Sequence, residues 1–203
     1  DVIVDHNIID TVITYVTNNA ELKDVVIPSL SFIRDIIHAP IIKQLMMILG
    51  YPSQQYESVY VSATKVDELC NKYTLQMIQS DTPSFEGMTC IPAITKMVKT
   101  GTIGRIREMI SGVDMNCGYF EGFSTGMIEI LFDILQYVSM VPECVEPIVG
   151  SASMGFEGTV FEHEGNIPGS VTLKTFLEDV NTTVEIRVAV VRTIFHCLVW
   201  QNG

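Results

Sequence analysis

The densest group of chemistry-bearing side chains in this chain is Glu162-His163-Glu164. Two carboxylates beside an imidazole are donors that a divalent cation can use. Their spacing argues against it. The segment reads as the end of a strand, and neighbouring strand residues point to opposite faces, so His163 turns away from both glutamates. A metal site would have to recruit Glu157 or Cys144 from elsewhere. An enzyme reading rests on the same acidic residues, Glu157 and Glu162, with His163. The chain has no H-E-x-x-H and no G-x-x-x-x-G-K. Gly150-Ser151-Ala152-Ser153-Met154-Gly155 misses the nucleophile elbow by one residue. Gly101-Thr102-Ile103-Gly104-Arg105 sets a base at a helix start, where an anion can sit, and reads equally as an interhelical turn. No metal and no cofactor is expected, and catalysis is the less favoured reading.

The remaining polar candidates point to packing. His196 sits in the apolar run Ile194-Phe195-His196-Cys197-Leu198 and reads as a hydrogen-bonded core or interface histidine. His38 follows a helical stripe and caps or packs. The cysteines are Cys70, Cys90, Cys117, Cys144 and Cys197; their number is odd and none forms C-x-x-C. That points to free thiols in a reducing compartment, the cytoplasm.

A different signal lies in the stretch from Cys117 to Leu131. It reads as a helix, yet Gly118, Gly122 and Gly126 recur every fourth residue along one side. Glycine in a helix costs roughly 1 kcal/mol against alanine, so a stripe of it implies close contact with something. Phe120, Phe123, Met127, Ile130, Leu131 and Ile134 recur at helical spacing around it. Large groups beside absent ones make a groove. It accepts its own core, a second copy or an apolar ligand. The groove candidates are Cys117, Gly118, Gly122, Phe123, Gly126 and Met127.

Charge limits the partners. The net charge is −12, and no Lys or Arg occurs between Glu108 and Leu173. Nucleic acid and anionic lipid both need a basic footprint, which is missing. The apolar run from Gly118 to Tyr137 carries Glu121, Glu129 and Asp133, which argues against a membrane span. A homo-oligomer or a protein partner, and a small apolar ligand, are the partners expected.

These residues need elements to hold them. Ile8, Ile9, Val12, Ile13 and Val16 predict a helix, as do Leu30, Ile33, Ile36 and Ile37. Pro28 suits the first turn of that second helix. Pro40 predicts a kink or restart at Ala39, and Gly50 a C-terminal cap. Val66, Leu69, Tyr73 and Met77 predict a third helix. Pro92–Val98 and Ile103–Ile110 read as two short ones. Ser58–Val61 reads as a short strand. Further on, Phe156–Phe161, Val171–Phe176, Val184–Val191 and Ile194–Trp200 are rich in Val, Ile, Thr and aromatics. Val184, Ile186, Val188 and Val190 alternate with Glu185, Arg187 and Ala189, the period of a strand. The expected fold is one α+β domain over residues 1–203, with a subdomain boundary near residue 114. A helical N-terminal part is followed by the glycine-lined helix packed on an antiparallel C-terminal sheet.

Cys117, Gly122, Phe123, Gly126 and the apolar run through Leu131 also resemble the signature helix of the 4-vinyl-reductase-type domain. Its superfamily includes vesicle-tethering transport-protein-particle subunits and ligand-sensing domains of bacterial activators. Glu143-Cys144 and Gly150 resemble the strand that follows, and the resemblance extends over about Cys117 to Phe161. It implies an α+β dimer that binds a small apolar molecule or a protein. Function is therefore expected to be non-catalytic binding, by ligand sensing or by self-association through the grooved helix. The alternatives are a structural subunit of a larger assembly, tether-like or viral, and the acid-based enzyme.

Overall fold

A computed structural model describes residues 8–19, 22–52, 63–79, 88, 91–111, 125–149, 173–180 and 182–202. Every regular element among them is helical. In chain order they are α1 (Ile8–Asn18), α2 (Lys23–Ile48), α3 (Ala63–Gln79), α4 (Pro92–Lys99), α5 (Thr102–Ser111) and α6 (Thr125–Val138). A 3-10 turn (Pro142–Cys144) leads into α7 (Val145–Val149). Then come α8 (Leu173–Glu178) and α9 (Val184–Asn202).

The expected α+β fold is therefore corrected: no strand occurs among the described residues. The two runs read as strands, Val184–Val191 and Ile194–Trp200, are one continuous helix. Their alternation is an accident of composition. Ile186, Ala189, Val190, Thr193, His196 and Cys197 are buried, at the three-and-four spacing of a helix face, whereas Val184, Val188 and Val191 are exposed. β-branched residues disfavour helix only slightly, and packing of the inner face outweighs that preference. Thr183 caps α9: its Oγ1 accepts the Ile186 N–H at 3.3 Å and donates to Glu129 Oε1 of α6 at 3.2 Å. Leu173–Glu178, overlapping another expected strand, is helical. Glu143 and Cys144, where the resemblance implies a strand, lie in the 3-10 turn. Ser58–Val61 and Phe156–Phe161 fall outside the described residues, as does the boundary near residue 114.

α6 is the central element. Its residues Met127, Ile128, Leu131, Phe132, Ile134, Leu135 and Val138 form a broad buried face, while Glu129 and Asp133 on the other side are half-buried. α2 packs along one side of it and α9 along another. The buried side chains join into one cluster running from Ile9 to Cys197.

α2 does not end at Ala39. It runs unbroken from Lys23 to Ile48 with Pro28 and Pro40 inside it. A proline within a helix costs about 3 kcal/mol. Ile33 and Ile37 before Pro40, and Ile41 and Leu45 after it, are all fully buried, and that stripe offsets the cost. By length and composition α2 is also long and apolar enough to cross a membrane. Here Val26, Leu30, Ile33, Ile37, Ile41 and Leu45 are buried in the protein core. Gly50 follows α2 with φ +76°, and its N–H bonds the Met47 carbonyl at 3.1 Å, as a helix-ending glycine does.

Candidate functional site

A cleft of about 550 Å³ opens where α2, α3, α6 and α9 meet. Ile130 of α6 with Val184, Val188 and Ala189 of α9 supply its apolar wall. The polar wall is an organised chain of side chains. The Arg192 guanidinium donates to Asp67 Oδ1 at 3.1 Å, to Asn71 Oδ1 at 2.9 Å and to Gln136 Oε1 at 3.1 Å. Gln136 Nε2 in turn donates to Asp133 Oδ1 at 2.6 Å. The other Asp133 oxygen lies 3.9 Å from Arg34 Nε and 3.7 Å from His38 Nε2. Side chains from all four helices are thus joined, and the planar guanidinium suits a three-acceptor hub.

Burial shapes the protonation of this chain. Desolvation pushes the Asp133 carboxyl above its usual range, against the pull of its Gln136 hydrogen bond and the nearby Arg34. His38 is pushed down to about 4, first by burial and then by the Arg34 charge. Its Nε2 has no hydrogen-bond partner, and its ring packs edge-on against Tyr137 at 3.9 Å. A neutral imidazole is the form this pocket holds.

The two arginines of the cleft are already engaged by the protein: Arg192 as above, and Arg34 by Asp35 at 3.1 Å. Glu129 and Glu185 also line the cleft. Neither has a cation within ion-pair distance among the described residues. The cleft therefore presents an apolar wall under a surplus of negative charge.

A second polar group lies deeper. Ser139 Oγ sits 2.9 Å from His196 Nδ1, the spacing of a nucleophile and its base, and Thr74 Oγ1 lies 3.4 Å from Nε2. Both Ser139 and His196 are fully buried, so no substrate reaches them. The Ser139 hydroxyl donates to the Gln136 carbonyl at 2.7 Å, and Trp200 Nε1 donates to the Ser139 carbonyl at 3.2 Å. Burial lowers His196 to about 4. His196 is the hydrogen-bonded core histidine expected from its apolar run, though on a helix. Ser139 escaped notice because its partner is fifty-seven residues away.

Of the groove candidates, Cys117, Gly118, Gly122 and Phe123 lie outside the described residues. Gly126 and Met127 stand in the first turn of α6. Met127 is fully buried in the core. A Cβ placed on Gly126 meets no atom within 4 Å among the described residues. Gly126→Ala is therefore expected to raise the unfolding free energy by about 0.5 kcal/mol through helix propensity alone. A loss of stability on urea denaturation would mean that an unseen surface seats against it.

Glu157, Glu162 and His163 also lie outside the described residues, and no His/Cys/Asp/Glu group able to hold a metal occurs among the described ones. Arg105, weighed as an anion ligand, is held by Asp10 Oδ1 at 2.7 Å and by Thr14 Oγ1 at 2.7 Å; Gly101, with φ +71°, makes the interhelical turn, and Thr102–Arg105 open α5. Cys70, Cys144 and Cys197 are buried and unbridged. Desolvation raises all three thiols, Cys70 and Cys197 to about 12, which leaves them chemically inert. Sequence reasoning missed the cleft itself, because Arg34, Asp67, Asp133 and Arg192 converge from distant parts of the chain. Comparison with protein-family models, with curated proteins and with solved structures returns no match.

Proposed function

We propose that this chain is a non-catalytic binding domain whose ligand enters the cleft between α2, α3, α6 and α9. The carrying observation is the uneven lining of that cleft: an apolar wall facing carboxylates in excess of free cations. Pockets that bind small molecules combine apolar area with a few convergent polar groups in this way. The ligand class that fits is a small amphipathic molecule with an apolar body and a cationic amino group. Its body lies along Val184, Val188 and Ile130, and its ammonium meets Glu129 and Glu185. An anionic ligand finds both arginines engaged and two carboxylates opposing it.

Hexylammonium and hexanoate test this directly, because they share an apolar body and differ in head charge. Hexylammonium is expected to raise the melting temperature of the full chain in the millimolar range, and hexanoate to leave it unchanged. Glu185→Gln with Glu129→Gln should abolish the shift. No shift with hexylammonium, or equal shifts with both probes, would overturn the reading.

A further inference from the structure

α9 is apolar on two opposite faces. Its inner face packs on α6. Its outer face carries the exposed Val188, Val191 and Leu198, at intervals of three and seven along one side of the helix, while Phe195 between them packs against the core. Val188 is 40% exposed and Val191 54%. α3 runs beside α9 in the same direction, since Asp67 and Asn71 meet Arg192 while Thr74 meets His196 one turn further on. At the next level α3 presents Leu75, 54% exposed, and Ile78, 60% exposed.

The charge pattern singles out this end of the two helices. Residues 73–79 and 193–202 contain no Asp, Glu, Lys or Arg, on a chain of net charge −12. Interface cores are depleted in charge in this manner. A basic partner would be drawn to the acidic surface elsewhere and gain nothing here. Two copies of an acidic chain repel each other least where neither carries charge, as at the Leu75, Ile78 and Leu198 end of this face, which Val191 borders next to the paired Arg192. A specific dimer buries roughly 800 Å² from each partner, more than one helical stripe supplies, so both helices must contribute.

We infer that the outer faces of α3 and α9, around Leu75, Ile78, Val191 and Leu198, form a two-fold interface with a second copy of this chain. The exposed residues of the seam are aliphatic, and in an isologous contact the same patch from each copy meets the other. Val188 borders both the cleft and this face, whereas Ile78 and Val191 are not part of the cleft lining, so substitutions at those two test the interface apart from the cleft ligand.

Sedimentation of the full chain from roughly 1 to 100 µM tests it. The wild type is expected to dimerise. Val191→Glu and Ile78→Glu should each raise the dissociation constant at least about 30-fold, as at an interface hot spot, with helicity by circular dichroism unchanged. Val180→Glu, at a position 86% exposed and outside the face, should leave it unchanged. Raising salt from about 0.05 to about 0.5 M should tighten the wild-type dimer, because repulsion between acidic surfaces is screened while the interface carries no ion pair. A wild type that stays monomeric, a dimer that survives both glutamates, or one that salt dissociates would overturn the inference.

Discussion

Lowering the pH from 7.5 to 4.5 is expected to remove roughly 5 kcal/mol of folding stability, most of what a domain of this kind possesses. The source is the pair of buried neutral imidazoles. His38 and His196 are each held at about 4 in the fold, against 6.5 for an unrestrained histidine. Between those values the unfolded chain binds more protons than the folded one, so stability rises with pH across the window. It is complete above 6.5 and is lost as pH falls towards 4. Each unit of displacement is worth about 1.4 kcal/mol, so each histidine carries about 3 kcal/mol over the full range. Asp133 works in the opposite direction: its raised carboxyl takes up a proton earlier in the fold than out of it, which returns part of the loss. Urea midpoints measured at half-unit steps should trace this decline, and His196→Asn should remove about half of the slope. A flat profile between pH 7 and 5 would show that neither ring is held neutral.

Phe132→Ala is the substitution expected to cost most, about 3–5 kcal/mol. Phe132 is fully buried on α6 and meets Phe176 of α8 edge-on, with ring centroids 4.7 Å apart. α8 spans only Leu173–Glu178, too short to be stable by itself, and Leu173 and Phe176 are its buried residues. Removing the Phe132 ring opens a cavity and takes away the surface on which α8 rests. Amide exchange should therefore accelerate in α8 more than in α2. Phe132→Leu, which refills most of the volume, should recover over half of the lost stability. A cost below 1 kcal/mol would mean that the aromatic pair is peripheral.

Helices α1, α3, α4 and α5 were legible in the sequence because their buried residues fall at three and four and little competes with that pattern. In α3 the expected face of Val66, Leu69, Tyr73 and Met77 is the buried one. α9 was misread because Val184 and Val188, exposed in the structure, happen to alternate with charged residues in its first turns. Two cues pointed the other way. Thr183, a good N-cap residue, stands just before Glu185 in the first turn, and Val191-Arg192-Thr193 offers no turn chemistry to separate two strands. The cleft was illegible for another reason. Its members come from four helices spread along the chain, and no local spacing records that Asp67 and Arg192 will meet. The glycine-lined stretch remains a sequence pattern, with only Gly126 and Met127 of its candidates in the described part of α6.

Pro40 gives α2 a property that its length conceals. With no N–H at that position, the Ile36 carbonyl receives no bond from the next turn, so the ladder of the longest helix has a missing rung. The halves on either side are clamped by isoleucines seated on α6 rather than by their own backbone. α2 is thus two rods spliced by their neighbour, and whatever loosens the grip of α6 lets the splice bend.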